Sequence, residues 1–169
     1  MRQFVRVAAV LALASLVSAA SASIVFSNVT ISGSVSTGAT FTDVSPSIDF
    51  FFPNATVGDP VDPIRTGELM ITYEATSSAQ LVQDRLVLSV LGALSGSGTI
   101  FVNEVVEELS SGDILATHSA LLSSTAYLPH VAVLDFTHPS DHVKIKKTFV
   151  LNAVPDTQDF DIASVGLVE

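Results

Sequence analysis

From residue 23 onward, apolar and polar positions mostly alternate, the period-two signature of extended chain with one buried face. Leu69, Ile71, Tyr73 and Ala75 share one phase against Glu68, Met70, Thr72, Glu74 and Thr76. Val44, Ile48, Phe50 and Phe52 share another, opposed by Asp43, Ser45, Ser47 and Asp49; Pro46 interrupts this run and predicts an edge or bulged strand. Residues 85–91 are apolar on both faces, which predicts a central strand. Ala132, Leu134 and Phe136 alternate with Val131, Val133 and Asp135. Val143, Ile145, Phe149 and Leu151 line one face of a further run. Lys147 falls on that apolar phase, where it reads either as an inward charge that discourages edge pairing or as the mark of a bulge. Residues 24–31 and 160–168 supply a first and a last strand.

Val102, Val105, Val106 and Leu109 fit helical spacing with Asn103 as a cap. The turn signal Ser95-Gly-Ser-Gly98 and the β-branched residues of 99–102 favour a strand to about Val106, with a bulge or turn near Glu107. About nine strands at regular spacing predict an all-β fold, an antiparallel two-sheet β-sandwich of immunoglobulin-like or jelly-roll-like type. The longest irregular piece, 53–66, is read as a crossover or a functional loop.

The first 22 residues are different. Arg2 and Arg6 precede an apolar stretch over 7–17, and Ala20-Ser21-Ala22 has the small-x-small form that signal peptidase accepts. Residues 1–22 are therefore expected to be a secretory signal cut after Ala22, and 23–169 the β-sandwich domain. The 169-residue chain carries seven basic and seventeen acidic residues, a formal charge of −10. Loss of Arg2 and Arg6 would make it more acidic still. That balance excludes a nucleic-acid partner, which needs cations for its phosphates. No later segment has the ~18 consecutive apolar residues of a membrane span. With no cysteine, there is no thiol chemistry and no disulfide, so an exported domain must rely on its core.

The chemistry-bearing residues are few. Neither a G-x-S-x-G elbow nor an S-x-x-K pair is present. Asp156, Asp159 and Asp161 form an acidic cluster whose hard oxygens suit calcium, as does the pair Asp59 and Asp62. His138-Pro-Ser-Asp141-His142 reads as a turn between strands and offers two imidazoles and a carboxylate, for zinc or for a loop-sited hydrolase. His118 reads as a packed or rim residue, and His130, at a strand start after Leu128-Pro129, carries no special signal. Asn28-Val-Thr30 and Asn54-Ala-Thr56 are glycosylation sequons. Sugar-binding sandwiches ordinarily use aromatic platforms, but tryptophan is absent and tyrosine is limited to Tyr73 and Tyr127. Of Phe50-Phe51-Phe52, Phe51 must point away from its neighbours, either exposed at an edge as a binding contact or, the preferred expectation, covered by the 53–66 loop.

Arg85-Leu-Val-Leu-Ser-Val-Leu-Gly-Ala-Leu-Ser-Gly-Ser-Gly-Thr-Ile-Phe-Val-Asn-Glu104 and Phe160-Asp-Ile-Ala-Ser-Val-Gly-Leu-Val-Glu169 resemble parts of bacterial exported proteins of the PEP-CTERM type. The resemblance covers about a quarter of the mature chain. It implies a Ser/Thr-rich surface or matrix protein without catalytic residues. That family's Pro-Glu-Pro sorting tail is not among these residues. The expectation is a non-enzymatic exported protein, structural or adhesive, with extracellular polysaccharide or other surface proteins as partners. The alternative is a calcium-dependent ligand- or glycan-binding module.

Overall fold

In a computed structural model, the described residues are 23–58, 64–89, 93–123, 127–154 and 161–169. They form eleven strands: β1 (Ile24–Ser32), β2 (Thr40–Val44), β3 (Ser47–Phe51), β4 (Thr56–Val57), β5 (Thr66–Leu88), β6 (Ala93–Ser95), β7 (Thr99–Glu108), β8 (Ile114–Leu122), β9 (His130–Asn152), β10 (Ile162–Ser164) and β11 (Leu167–Val168). The segment expected to be a signal lies outside these residues, and with it the cleavage positions Ala20 and Ala22.

Two strands of 23 residues each organise the molecule. The sequence reads each as two separate runs, yet the backbone continues through both. β5 and β9 pair antiparallel from Thr66↔Asn152 to Thr76↔His142, lose register around Leu81 and Ser140, and pair again from Gln83↔Asp135 to Leu88↔His130. At that irregularity the paired strands pass from one layer into the other. The first layer holds β1, the 66–76 part of β5, the 142–152 part of β9, then β7 and β8. In the second, β2, β3 and β11 join the 83–88 part of β5 and the 130–135 part of β9. Contacts between the parts show that the layers face each other. The rings of Phe50 (second layer) and Tyr73 (first) lie 5.5 Å apart, and the imidazoles of His118 and His130 stack across the same gap. The result is the antiparallel sandwich that the alternation predicts. β4, β10 and β6 make a small separate sheet.

Burial follows the alternation closely. Leu69, Ile71, Tyr73, Ala75, Leu86 and Leu88 of β5 face Phe50, Ile100, Val102, Val106, Leu134, Ile145, Phe149 and Leu151 in one continuous core. Each such side chain contributes about 1.5–3 kcal/mol by leaving water, which is how a cysteine-free domain of this size holds together.

Four local expectations change. Pro46 does not sit within a strand: Ser45 and Pro46 are the two-residue connection of the β2–β3 hairpin, whose register closes at Val44↔Ser47. Phe51 is 47% exposed rather than covered by the loop that follows. Residues 138–142 are not a turn between strands; they belong to β9 where it changes layer. Lys147 marks neither an edge nor a bulge, since its register with β5 and β7 is unbroken on both sides. The reading of 99–106 as a strand holds, with the irregularity falling between Val106 and Glu107.

Candidate functional site

Lys147 faces inward from the middle of the first layer. Glu104 of β7 stands directly opposite it and Ile71 of β5 on its other side. Glu104 occupies the apolar phase of β7 with Ile100, Val102 and Val106, so strand pleat alone aims both charges at the core. Both are fully buried, and Lys147 Nζ donates to Glu104 Oε1. Asp84 reaches in from the second layer, placing Oδ2 3.6 Å from Nζ. Tyr73, one pleat along β5, sets its ring centroid 5.9 Å from Nζ.

One cation thus faces two carboxyls in a water-poor interior, and a single lysine cannot balance two full negative charges there. Burial pushes the Glu104 carboxyl up to about 8, with the Lys147 charge pulling against the rise and the Asp84 charge adding to it. Burial also works against the Asp84 carboxylate, but Lys147, a hydrogen bond from Glu104 and the Arg85 N–H outweigh it and hold its pKa below the ordinary value. The Lys147 ammonium is disfavoured by burial, yet Tyr73, Asp84 and Glu104 together raise its pKa. Burial raises the Tyr73 phenol as well. Among the described residues, Asp84 Oδ2 and Glu104 Oε2 find no hydrogen-bond donor. A proton kept on Glu104 and shared with Asp84 satisfies both, because a protonated carboxyl donates where an ionised one only accepts.

Beside this cluster a cleft of about 330 Å³ opens between the layers. Ile24, Phe26, Ile48, Val87 and Phe136 give it apolar walls, Tyr73 and Asp84 line its inner part, and Ser47, Gln83 and Arg85 are exposed lining residues. The Phe26 ring meets Tyr73 edge-on, with centroids 5.8 Å apart. A concave site with apolar walls and a few convergent polar groups is the usual form of a small-molecule pocket.

His118 lies directly across β7–β8 from Glu104 and is stacked against His130, with Nε2 atoms 2.9 Å apart. Burial and His118 both lower the pKa of His130. Elsewhere, Glu108, Asp113 and His138 bring ligand-type atoms within 4.8 Å of one another and could hold a cation. Hydrogen bonds from the Ser111 and Ser140 hydroxyls keep the Glu108 carboxyl below its ordinary pKa.

The residues singled out from the sequence are dispersed. His138 Nε2 approaches Glu108 Oε2 at 3.6 Å, whereas His142 Nε2 approaches Glu74 Oε2 at 3.3 Å. With Asp141 exposed, these three do not converge on a cleft. Asp156 and Asp159 lie outside the described residues, as do Asp59 and Asp62. Asp161 is 2% exposed and accepts a hydrogen bond from the Ser97 N–H. Gly58, at φ 96°, packs against the Asp161 carbonyl so tightly that a Cβ would come within 2.0 Å of it. Asn28 and Asn54 are both exposed.

Asp84 and Glu104 are not among the residues that the sequence singles out. Glu104 was legible as a lone acid on an apolar phase, the same signal that marked Lys147. Asp84 was not, because it borders the irregularity where the phase of β5 is reset.

No protein-family model matches the sequence, and no curated protein matches it. Among solved structures the chain is similar to TmCBM61 in complex with β-1,4-galactotriose, at 12% identity and a TM-score of 0.40, over 85% of this chain and 88% of that one.

Proposed function

We propose that this protein is an exported, non-catalytic β-sandwich that binds a small saccharide in the cleft between its layers. The cleft beside Asp84 carries the reading. A sugar ring presents apolar C–H faces and a rim of hydroxyls. The walls formed by Phe26, Ile48 and Phe136 suit the faces, and Gln83, Arg85 and Ser47 suit the rim. A volume of about 330 Å³ accommodates one or two rings rather than a long chain, so a polysaccharide would engage through a terminal or protruding unit. Export is supported by the basic, apolar and small-residue pattern of residues 1–22. Extracellular polysaccharide is the natural partner class.

The test is a titration of the isotope-labelled processed protein with neutral mono- and oligosaccharides, followed by amide resonances. The reading expects saturable shifts clustered at residues 24–26, 83–87 and 136. Shifts confined to other surfaces, or none at millimolar sugar, would refute it.

A further inference from the structure

We propose that Lys147 Nζ and Asp84 Cγ condense into an intramolecular amide that ties the two layers together, with Glu104 relaying the protons. Three observations support it. The amine and both carboxyls are held in one place by strand pairing: Nζ is 3.6 Å from Asp84 Oδ2 and already bonded to Glu104 Oε1. Such fixed proximity replaces a bimolecular encounter by an effectively unimolecular one. Lys147 and Glu104 are fully buried, which excludes the water that would favour hydrolysis. Asp84 also lines the cleft, which gives the expelled water a way out.

The step balances within the cluster. One Lys147 ammonium proton passes to the Asp84 carboxylate, turning the ion pair into a neutral amine and a carboxylic acid without changing net charge. The amine adds to Asp84 Cγ, forming the C–N bond. Glu104 Oε1 takes the proton that Nζ sheds, while the Glu104 acid gives its own proton to the departing Asp84 oxygen. The C–O bond breaks, one water leaves, and Glu104 ends protonated as it began. No oxidant, reductant or other reactant is needed. A carboxyl that meets Nζ through Oε1 and shares a hydrogen bond with Asp84 is what such a relay requires. The product joins β5 to β9 across roughly 60 residues of chain, the service that a disulfide gives to other exported domains and that a chain without cysteine cannot obtain from sulfur.

Intact-mass measurement of the purified full chain, with its N-terminus determined, reads the bond directly. The expected mass is one water lighter than the sequence requires, and proteolysis yields a branched peptide joining Lys147 to Asp84. Lys147→Arg and Asp84→Ala should each restore the full mass. Glu104→Gln should also do so, with an unchanged circular-dichroism spectrum. A wild-type protein at full mass overturns the proposal, and a branch at Glu104 instead of Asp84 overturns the assignment. Dehydration of Glu104→Gln to the wild-type extent overturns the relay.

Discussion

Glu104 and Lys147 stand opposite each other on β7 and β9, both without solvent exposure, and their side chains meet in the interior of the sandwich. Around them the neighbouring positions are Ile71, Val102, Val106 and Phe149, so the pair is an ionic insertion in an otherwise apolar row. Removing one partner of a buried pair leaves the other charge uncompensated. Lys147→Met is therefore expected to cost about 3–5 kcal/mol, measured by urea denaturation. Adding Glu104→Leu and Asp84→Leu to that variant should recover a substantial part of the loss, since an apolar core tolerates this row better than a half-removed network.

Stability should depend on pH in a direction set by Glu104. Its carboxyl is raised from 4.5 in the free side chain to about 8 in the fold, so the folded state holds a proton that the unfolded chain has lost. The stabilisation is complete below about 4.5 and declines as pH rises to about 8, by up to ~1.4 kcal/mol per pH unit. Burial is the largest cause, so the sign survives whether or not Lys147 is free. The difference between wild type and Glu104→Gln in denaturation midpoints from pH 5 to 8 isolates this slope.

His130 works the other way. Its lowered pKa, from burial and then from His118, means that the unfolded chain takes up a proton first. Stability is retained above about 6.5 and lost as pH falls below it. In His118→Phe, which removes the neighbouring imidazole, this acid-side loss should shrink when thermal midpoints are compared at pH 7 and pH 5.

Variants of the cleft separate recognition from folding. Arg85→Ala changes an exposed side chain at the cleft, so it should weaken saccharide binding about tenfold, ~1.4 kcal/mol, while moving the unfolding midpoint little. Phe136→Ala should weaken binding at least as much and also cost stability, because that ring packs on the core. Calorimetric titration alongside thermal melts distinguishes the two.

Asp161 offers a structural prediction. It is buried and accepts the N–H of the exposed Ser97, so Asp161→Ala removes that bond and should cost about 0.5–1.5 kcal/mol in chemical denaturation.

The sandwich was legible because pleat geometry imposes period two on any strand with one buried face, which 69–75 and 143–151 carry, while 86–88 and 131–134 read as strands from continuous apolar runs. Continuity was not legible. At the layer change, residues 77–82 and 136–141 reset their phase, and this reads as a loop; the Pro139 and Ser140 beside two histidines strengthen that impression. The charged cluster was half legible. Lys147 and Glu104 each break an apolar phase, but nothing in one dimension says that two such breaks on different strands face each other. Asp84 joins them only because β5 carries it into the opposite layer. The cleft depends on that same crossing and has no sequence motif of its own.

A double-mutant cycle between Asp84→Ala and Lys147→Met measures most directly whether the 83–88 part of β5 faces the 142–152 part of β9 across the core. Strong non-additivity in unfolding free energy, about 1–3 kcal/mol, is expected, because either single change destroys the same contact. Additivity within about 0.5 kcal/mol would mean that the two side chains do not meet, and would contradict the arrangement on which the site is built.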